Sequence, residues 1–280
     1  MTDPQVAYET ITPRRARLML EHNERNRRIK PGSVTRYAQD MMEGRWQSNG
    51  APIVFDSTGR LVDGQHRLHA LIEADVSLRM LVVRGVAPDA QKTMDQAAPR
   101  TLADWLAFQG ESNVHQLASV TMMDARWNDR AEPSPARAFS NYQQDKLTRS
   151  RYVAWFDAHR EELREATRRG VTYSRRRGQL LSAGMMGVLW LNLHRLSPDD
   201  ADLFFDQLSQ GAGLSEGDAV LALRTQLIQL KSGRDHATAL YKAALTIKAW
   251  NRFIQGEPVG VLRYKAGGAH RERFPQPLKP

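Results

Sequence analysis

Five consecutive residues offer the clearest chemistry in this chain, because Asp63, Gly64, Gln65, His66 and Arg67 place five different functional groups side by side. A glycine lets the backbone turn sharply and approach a ligand closely. If a helix starts there, the N–H groups of its first turn attract an anion. Arg67 adds a planar pair of donors that suits phosphate. The segment therefore predicts a phosphate site, although the chain contains no Walker loop of the form GxxxxGK[ST].

Each residue of this segment has a role in the prediction. Gly64 and the backbone amides of Gln65, His66 and Arg67 would surround the phosphates, with the Arg67 and His66 side chains each on a phosphate oxygen. Asp63 would repel a phosphate, so we expect it to hold Mg²⁺ or to orient the attacking group. The alternative is structural: Asp63 caps the helix, and Arg67 pairs with a surface acid.

The sequence around Asp63–Arg67 predicts a strand before it and a helix after it, as a phosphate-binding turn requires. Residues 53–55 and 61–62 have the composition of short strands, and the turn formers at 56–59 join them as a hairpin. A helix is predicted over about 66–74, followed by a mostly buried strand over 78–83. The turn is therefore predicted to connect a strand to a helix.

Two more helices are predicted before the hairpin. Thr12 is expected to cap the first, with proline in its opening turn, and residues 1–10 are expected to form a loose arm. Ser33 is expected to cap the second helix, which ends at Gly44. Helix, hairpin, helix and strand together predict a compact α+β domain over residues 10–100.

Helical patterns dominate the rest of the chain. A capping box at Thr101–Asp104 opens a predicted all-helical domain over residues 101–256. Within it, Asp129–Arg137 contains two prolines and is expected to be an exposed loop. Residues 257–280 are expected to add a short strand and a flexible tail. The helices are predicted at 113–127, 149–168, 178–194, 199–209, 218–230 and 235–254.

Composition limits the possible function classes. The chain has no cysteine, which excludes disulfides, thiolate nucleophiles and cysteine-ligated zinc. No apolar run is long enough to span a membrane and no signal-peptide pattern opens the chain, so we expect a cytoplasmic protein without a membrane partner. A formal net charge of +9 suggests a polyanionic partner such as nucleic acid or nucleotide, unless the basic residues only solvate the surface.

Short motifs around the turn occur in a characteristic order: Ser33-Val-x-x-Tyr37-Ala-x-Asp-Met, Gly44-x-Trp46, Asn49-Gly50, Pro52-Ile-x-Phe-Asp56 and Asp63-Gly-Gln-His-Arg-Leu-x-Ala70. This order resembles the ParB/sulfiredoxin superfamily, and most closely the ParB N-domain-like proteins that are common in actinobacterial phages and their hosts. The resemblance covers roughly residues 10–100. It implies a small mixed-sheet domain that binds the phosphates of ATP or CTP at the turn.

The residue at position 65 distinguishes members of this superfamily. Sulfiredoxins carry a G-C-H-R motif, and Gln65 replaces the cysteine here, which excludes reduction of a sulfinic acid. ParB proteins bind CTP with a G-x-R-R motif, of whose two arginines this chain has only Arg67. Free serine kinases of this fold transfer phosphate with D-G-H-H-R, which differs from this chain only at Gln65. The resemblance therefore implies hydrolysis of a nucleoside triphosphate, or transfer of its phosphate, with Mg²⁺.

A second polar cluster precedes the helix that Ser33 is expected to cap. Superfamily members commonly place a functional carboxylate or arginine here, which implies Glu24 as a general base or metal-orienting group and Arg28 as a second phosphate donor. Asn49, just before the hairpin, could line the same cleft. The alternative is a solvated loop of alternating charges.

A basic cluster at Arg175, Arg176 and Arg177 could bind the phosphates of DNA, and the neighbouring Tyr173 could stack on a base. The alternative is that these arginines only stabilise the end of a helix through its dipole.

The leading hypothesis is a Mg²⁺-dependent NTPase or phosphotransferase in which Asp63, Glu24 and His66 are the catalytic candidates. The alternative is a DNA-binding ParB-like accessory protein with a regulatory or vestigial nucleotide site. A ParB-like nuclease ranks third, because no carboxylates cluster in the sequence. The sequence leaves open the base of the nucleotide, the phosphate acceptor and whether the chain forms a homodimer.

Overall fold

The structure is a computed structural model that describes residues 3–24, 26, 28–94, 100–129, 133–140, 147–175, 180–232, 237–267 and 270–280. It divides into two compact units. The sheet unit comprises residues 1–99 with 146–151, and the helical unit comprises residues 100–145 with 152–280. Within the described residues, every strand belongs to the sheet unit. The fold is therefore α+β, as the sequence predicted.

The sheet unit places a helix between two parallel strands. In chain order it contains β1 (Gln5–Ile11), α1 (Pro13–Leu20), α2 (Pro31–Met42), β2 (Ile53–Asp56), β3 (Leu61–Asp63), α3 (Gln65–Ala74), β4 (Leu78–Val86) and a turn of 3₁₀ helix (Pro88–Thr93). The strands lie in the order β1-β4-β2-β3. β4 is antiparallel to β1 and parallel to β2, while β2 and β3 form an antiparallel hairpin. The sheet is thus mixed, and α3 lies in the crossover from the hairpin to β4.

Strand β1 corrects the expectation that residues 1–10 form a loose arm. It pairs antiparallel with β4 at the edge of the sheet. Most of β1 is exposed, including Val6 and Tyr8, so the sequence lacks the alternation that marks a half-buried strand. The backbone pairing, together with an ion pair between Glu9 and Arg84, holds the strand in place.

Local capping explains where the first helices begin. Thr12 caps α1 as predicted, and its Oγ1 accepts a hydrogen bond from the Arg15 amide at 3.1 Å. Helix α2 begins at Pro31 rather than after the expected cap Ser33, because proline fits the first turn of a helix. The Ser33 hydroxyl instead accepts a hydrogen bond from Arg36 within the helix.

The core of the sheet unit fixes the position of α3. Ile11, Ile53, Leu61, Leu68 and Leu71 are completely buried in one apolar cluster. Burying side chains of this size stabilises a fold by about 1.5–3 kcal/mol each. Helix α3 contributes two of these residues and contacts both α1 and α2. The turn that opens α3 is therefore attached to the best-buried part of the unit.

The turn between β2 and β3 is built around the buried carboxylate of Asp56. One of its oxygens accepts from the amides of Thr58 and Arg60, at 2.9 and 3.1 Å, and from the Thr58 hydroxyl at 2.6 Å. The other accepts from Arg60 Nε at 3.0 Å. Burial acts to raise the pKa of Asp56, but these hydrogen bonds outweigh it and hold the pKa below its ordinary value.

Asp56→Asn should therefore destabilise the protein in a pH-dependent way. Since the folded pKa lies below the unfolded pKa of about 3.9, the ionised carboxylate stabilises the fold above that pH. This contribution is lost as the pH falls through the folded pKa. We expect the variant's free energy of unfolding to be lower by about 1–3 kcal/mol at neutral pH. Urea unfolding should show the difference shrinking below about pH 4, and a difference independent of pH would contradict the assignment.

The helical unit begins with the predicted capping box, in which Thr101 and Asp104 cap each other's backbone amides. The predicted helix over 149–168 is in fact two helices, and a further short helix forms at the end of the predicted loop Asp129–Arg137. The helices are α4 (Leu102–Phe108), α5 (Val114–Trp127), α6 (Pro135–Phe139), α7 (Arg149–Ala158), α8 (Arg160–Arg175), α9 (Ala183–His194), α10 (Pro198–Gln210), α11 (Ala219–Ser232) and α12 (Ala239–Gln255).

The described residues after α12 hold no strand, which corrects the one predicted within 257–280. They pack on the helix instead of extending as a flexible tail. Trp250 Nε1 donates to the Leu278 carbonyl at 2.9 Å, and Asn251 Oδ1 accepts from the Leu278 amide at 2.9 Å. Leu262 is buried as well. An irregular backbone can be held in this way when its polar groups find partners on a helix.

A buried carboxylate connects three elements of the helical unit. Asp124, on α5, is completely buried and accepts hydrogen bonds from Asn192 at 2.9 Å and from the Trp155 indole at 2.9 Å. Asn128 adds a third at 3.0 Å, and the Arg195 guanidinium pairs with both oxygens, at 2.7 and 3.2 Å. Two hydrogen-bonding amides and an ion pair together compensate for removing the charge from water.

Asp124→Asn should lower the free energy of unfolding of the helical unit by about 1–3 kcal/mol, because the amide nitrogen cannot accept hydrogen bonds and leaves donors around position 124 without an acceptor. Asp157→Asn is the matched control, since Asp157 pairs with Arg160 on the exposed surface of α7. It should cost less than about 1 kcal/mol. Guanidinium unfolding of both variants measures the two losses in free energy of unfolding. Equal losses would show that the buried hydrogen bonds to Asp124 stabilise the unit no more than the exposed ion pair does.

Candidate functional site

The predicted strand-turn-helix arrangement is present at Asp63–Arg67. Asp63 ends β3, Gly64 has a φ of 105°, and Gln65 is the first residue of α3. A Cβ on Gly64 would lie 2.5 Å from Ile53 Cδ1 and 3.1 Å from Ile53 Cα. The turn therefore requires glycine both for its left-handed backbone and for its contact with β2. Within the described residues, no side-chain hydrogen bond caps the start of α3.

Asp63 and Arg67 bind each other across the first turn of α3. Arg67 Nη2 donates to Asp63 Oδ2 at 2.9 Å and to the carbonyl of Pro52 at 2.6 Å. Asp63 Oδ1 accepts from the Gly64 amide at 2.6 Å. Arg67 thus pairs with an acid, as in the structural alternative, but that acid is Asp63, which does not cap the helix. Arg67 Nε is buried and has no hydrogen-bond partner in the part of the chain that the structure describes.

The side chain of His66 positions the loop before α2. His66 is buried, and its Nε2 accepts a hydrogen bond from the Lys30 amide at 3.1 Å. A ring nitrogen that accepts from an amide carries no proton, so the proton of the neutral imidazole lies on Nδ1. The geometry thus uses Nε2 within the fold, where the sequence predicted a contact to phosphate.

Two asparagines tie the same loop to the hairpin and to α3. Asn23 Nδ2 donates to Gln65 Oε1 at 3.2 Å, and Asn26 Nδ2 donates to the Leu61 carbonyl at 2.7 Å. The two asparagines also bond to each other, at 2.6 Å. Sequence reasoning did not single out Asn23, and its proximity to Glu24 was the only available signal. The buried amide of Gln65 is therefore a structural partner of this loop.

The other residues predicted to contribute to the nucleotide site lie on the surface. Glu24 and Arg28 are exposed in the loop between α1 and α2, and Asn49 is exposed before β2. Asn49 Oδ1 accepts a hydrogen bond from the Ala51 amide at 3.1 Å. Among the described residues, no contact joins these three side chains to the turn at Asp63–Arg67. Their predicted roles therefore stay predictions.

The residues at the turn do not fit a resident Mg²⁺ ion. Within the described residues, no group of three or more His, Cys, Asp or Glu side chains could hold a metal. Both oxygens of Asp63 already accept hydrogen bonds, from Gly64 and Arg67. Mg²⁺ commonly reaches phosphate-transfer sites with the phosphates of its substrate and keeps several waters. A Mg²⁺ ion at the turn would therefore need most of its ligands from a bound substrate and from water.

The predicted DNA-binding cluster is only partly described. Arg175 is exposed at the end of α8, whereas Arg176 and Arg177 lie outside the described residues. Tyr173 is buried and stacks on Phe205, with ring centroids 5.7 Å apart. Burial raises its pKa, and nearby Asp206 acts in the same direction. A buried ring in contact with another aromatic is not available to stack on a base, which corrects that prediction.

A cavity of about 400 Å³ in the sheet unit lies near the Asp56 end of β2. Its lining includes His22, Phe55 and Arg84. None of its lining residues belongs to Asp63–Arg67. A ligand in this cavity would therefore meet none of the residues that the sequence assigns to phosphate.

Comparisons of the chain with protein-family models, with curated proteins and with solved structures give no match. In the described part of the chain, no helix combines the length and the apolar character that crossing a membrane requires.

The role of Gly64 can be tested against Gly59, a second glycine with a positive φ, which lies in the turn between β2 and β3. Gly59 also has a positive φ, of 87°, but a Cβ there would meet nothing within 4 Å. Gly64→Ala and Gly59→Ala should share a strain cost of roughly 1–3 kcal/mol. Gly64→Ala should lose about 1–3 kcal/mol more, because its Cβ collides with Ile53. Denaturant unfolding measures both losses, and equal values would refute the close contact with β2.

Proposed function

We propose that the sheet unit is a ParB/sulfiredoxin-like domain that binds the phosphates of a nucleoside triphosphate, ATP or CTP, at Asp63–Arg67, and that it hydrolyses the nucleotide or transfers its phosphate. The observation that supports this most is the left-handed Gly64 between β3 and α3. It places the first turn of α3 directly after β3, and the dipole of a helix attracts an anion at that end. Arg67, in the first turn of α3, adds a guanidinium at the same end.

The ion pair between Asp63 and Arg67 suggests how the site would respond to a nucleotide. A phosphate carries more negative charge than a carboxylate and offers more acceptor oxygens, so it would compete with Asp63 for the guanidinium. Arg67 stays aligned during this exchange, because the Pro52 carbonyl also holds its Nη2. The exchange would release the Asp63 carboxylate at the moment that a phosphate is bound.

The released carboxylate is suited to act on the nucleophile. In hydrolysis, the oxygen of a water bonds to the terminal phosphorus while the bridging P–O bond breaks, and the diphosphate leaves with the bonding electron pair. Asp63 accepts the proton that the water loses. If an alcohol replaces water, the same step transfers the phosphate to that alcohol. His66 contributes by positioning the loop that carries Glu24, the alternative base.

A DNA-binding accessory protein is the second candidate, supported by the net charge of +9 and the exposed Arg175. In this case the turn would be a regulatory or vestigial nucleotide site. A gel shift with duplex DNA distinguishes the two. Binding that falls steeply with salt and is lost on neutralising Arg175, but not in Asp63→Ala, would favour this candidate.

Arg60 provides a matched control for the nucleotide site. Like Arg67, it pairs with an aspartate four residues earlier and donates Nη2 to a proline carbonyl, that of Pro88. Calorimetric titration with ATP, CTP and pyrophosphate, with and without Mg²⁺, should give affinities about 10–100-fold lower for Arg67→Ala than for wild type. Arg60→Ala removes the same charge and should bind as wild type does after its stability has been checked.

Asp63→Asn separates binding from chemistry. The substitution removes a negative charge beside the phosphates, so nucleotide affinity should be unchanged or higher. The rate of phosphate release should fall by about 100-fold or more, because the base is lost. The proposal fails if wild type binds none of the three ligands, or if Arg67→Ala and Arg60→Ala bind equally well.

A further inference from the structure

The two edge strands of the sheet differ in length and regularity. One edge is β3, which has three residues and ends in the charged Asp63. The other edge is β1, which has seven residues and pairs with β4 without a register shift. Proteins commonly use short edge strands and charges to keep a sheet from pairing with another chain. Strand β3 has both features, whereas β1 is long and regular.

The composition of β1 does not oppose a further strand. It contains no lysine and no proline, the residues that often protect an edge. The one charged side chain in its sequence is Glu9, which pairs with Arg15 and Arg84 of the same chain. In the part of the chain that the structure describes, β4 is the only strand beside it. An antiparallel neighbour takes the backbone groups of every second residue, so the others point away from the sheet.

An apolar surface continues to this edge. Val6 and Tyr8 are 63% and 52% exposed. Side chains alternate along a strand, so these two lie on the face opposite the buried Ile11. Leu81 and Val83 stand directly across from them on β4 and are partly exposed as well. A long edge strand with exposed apolar side chains is one that proteins normally cover.

The sequence of β1 is complementary to a second copy of itself. If two copies pair antiparallel about a two-fold axis at Ala7, Val6 of each copy lies opposite the partner's Tyr8. A β-branched residue opposite an aromatic residue is a favourable cross-strand pair. On the other face, Gln5 lies opposite the partner's Glu9, so like charges do not face each other directly.

The charges at the ends of this pairing are complementary. Asp3 lies opposite the partner's Ile11, where β1 ends just before α1. Helix α1 begins with Arg14 and Arg15 in its first turn. The helix dipole adds a partial positive charge at the same end and attracts a carboxylate. Each copy thus offers an acid to the basic end of the other copy.

We propose that β1 is the interface of a homodimer, in which the β1 strands of two copies pair antiparallel about Ala7. The two four-stranded sheets become one continuous sheet. This interface uses the edge of the sheet unit and does not depend on the proposed nucleotide site.

Two double variants of exposed residues test the pairing. Val6→Lys/Tyr8→Lys puts like charges opposite each other in both Val–Tyr pairs and should raise the dissociation constant of the dimer by about tenfold or more. Val6→Lys/Tyr8→Glu loses the same apolar pairs but puts opposite charges there. It should dimerise about tenfold more tightly than Val6→Lys/Tyr8→Lys. Sedimentation equilibrium at about 1–200 μM protein, a range that suits a small interface, measures both constants. Thermal melts show whether each variant has folded.

Single cysteines report the register directly, because the chain has none of its own. Opposite residues in an antiparallel pair have Cα atoms about 4.5–5.5 Å apart, a distance that a disulfide can bridge. Ala7→Cys should therefore crosslink two chains under mild oxidation. Thr10→Cys is the control on the same exposed strand. It lies opposite the partner's Pro4, about 20 Å from the partner's own position 10, and should not crosslink.

Three results would overturn the proposal. The first is a wild-type chain that stays monomeric over the whole concentration range. The second is equal crosslinking of Ala7→Cys and Thr10→Cys, which would indicate random collision. The third is equal dissociation constants for the two double variants. If a monomeric wild type instead binds an unrelated extended peptide along β1, the edge takes a different protein, and a second copy is the wrong occupant.

Discussion

The close contact between Gly64 and Ile53 determines how the rest of the candidate site is arranged. Because Gly64 has a left-handed backbone and no side chain, α3 starts directly beside β2. This start brings Arg67 to the carbonyl at the beginning of β2 and His66 to the amide of Lys30. A larger residue at position 64 would move the helix and would break both contacts. One steric constraint thus determines the relative positions of β2, α3 and the loop before α2.

Local patterns were sufficient to predict much of the sheet unit. The hairpin, the turn at Gly64 and the cap of α1 depend on residues close in sequence, and all three are present. Strand β1 was missed because it pairs with β4 through backbone atoms and leaves Val6 and Tyr8 exposed. The paired residues are 67 to 79 positions apart, so the sequence near β1 gives no sign of the pairing.

Contacts between residues distant in sequence also limited what could be predicted of the candidate site. Sequence reasoning found the five residues of the turn and the glycine that shapes it. It could not find that Gln65 binds Asn23 and that His66 binds Lys30, because these partners are 42 and 36 positions away. In the sequence, a polar residue beside a glycine suggests a contact to a ligand. In the fold, the side chains of Gln65 and His66 make hydrogen bonds within the protein instead. Arg67 Nε is a buried donor that has no hydrogen-bond partner among the described residues.

The buried Asp124 has a consequence for the way in which the helical unit moves. Its partners come from α7, from α9 and from the end of α5, so separating any one of these elements removes a hydrogen bond from the buried carboxylate. Local fraying of a single helix should therefore be suppressed near the carboxylate. Amide hydrogen exchange around Asn192 would then proceed only through cooperative opening of the unit, while the exposed ends of α10 and α11 exchange quickly. The hydrogen bonds to Asp124 thus couple the opening of these helices to one another.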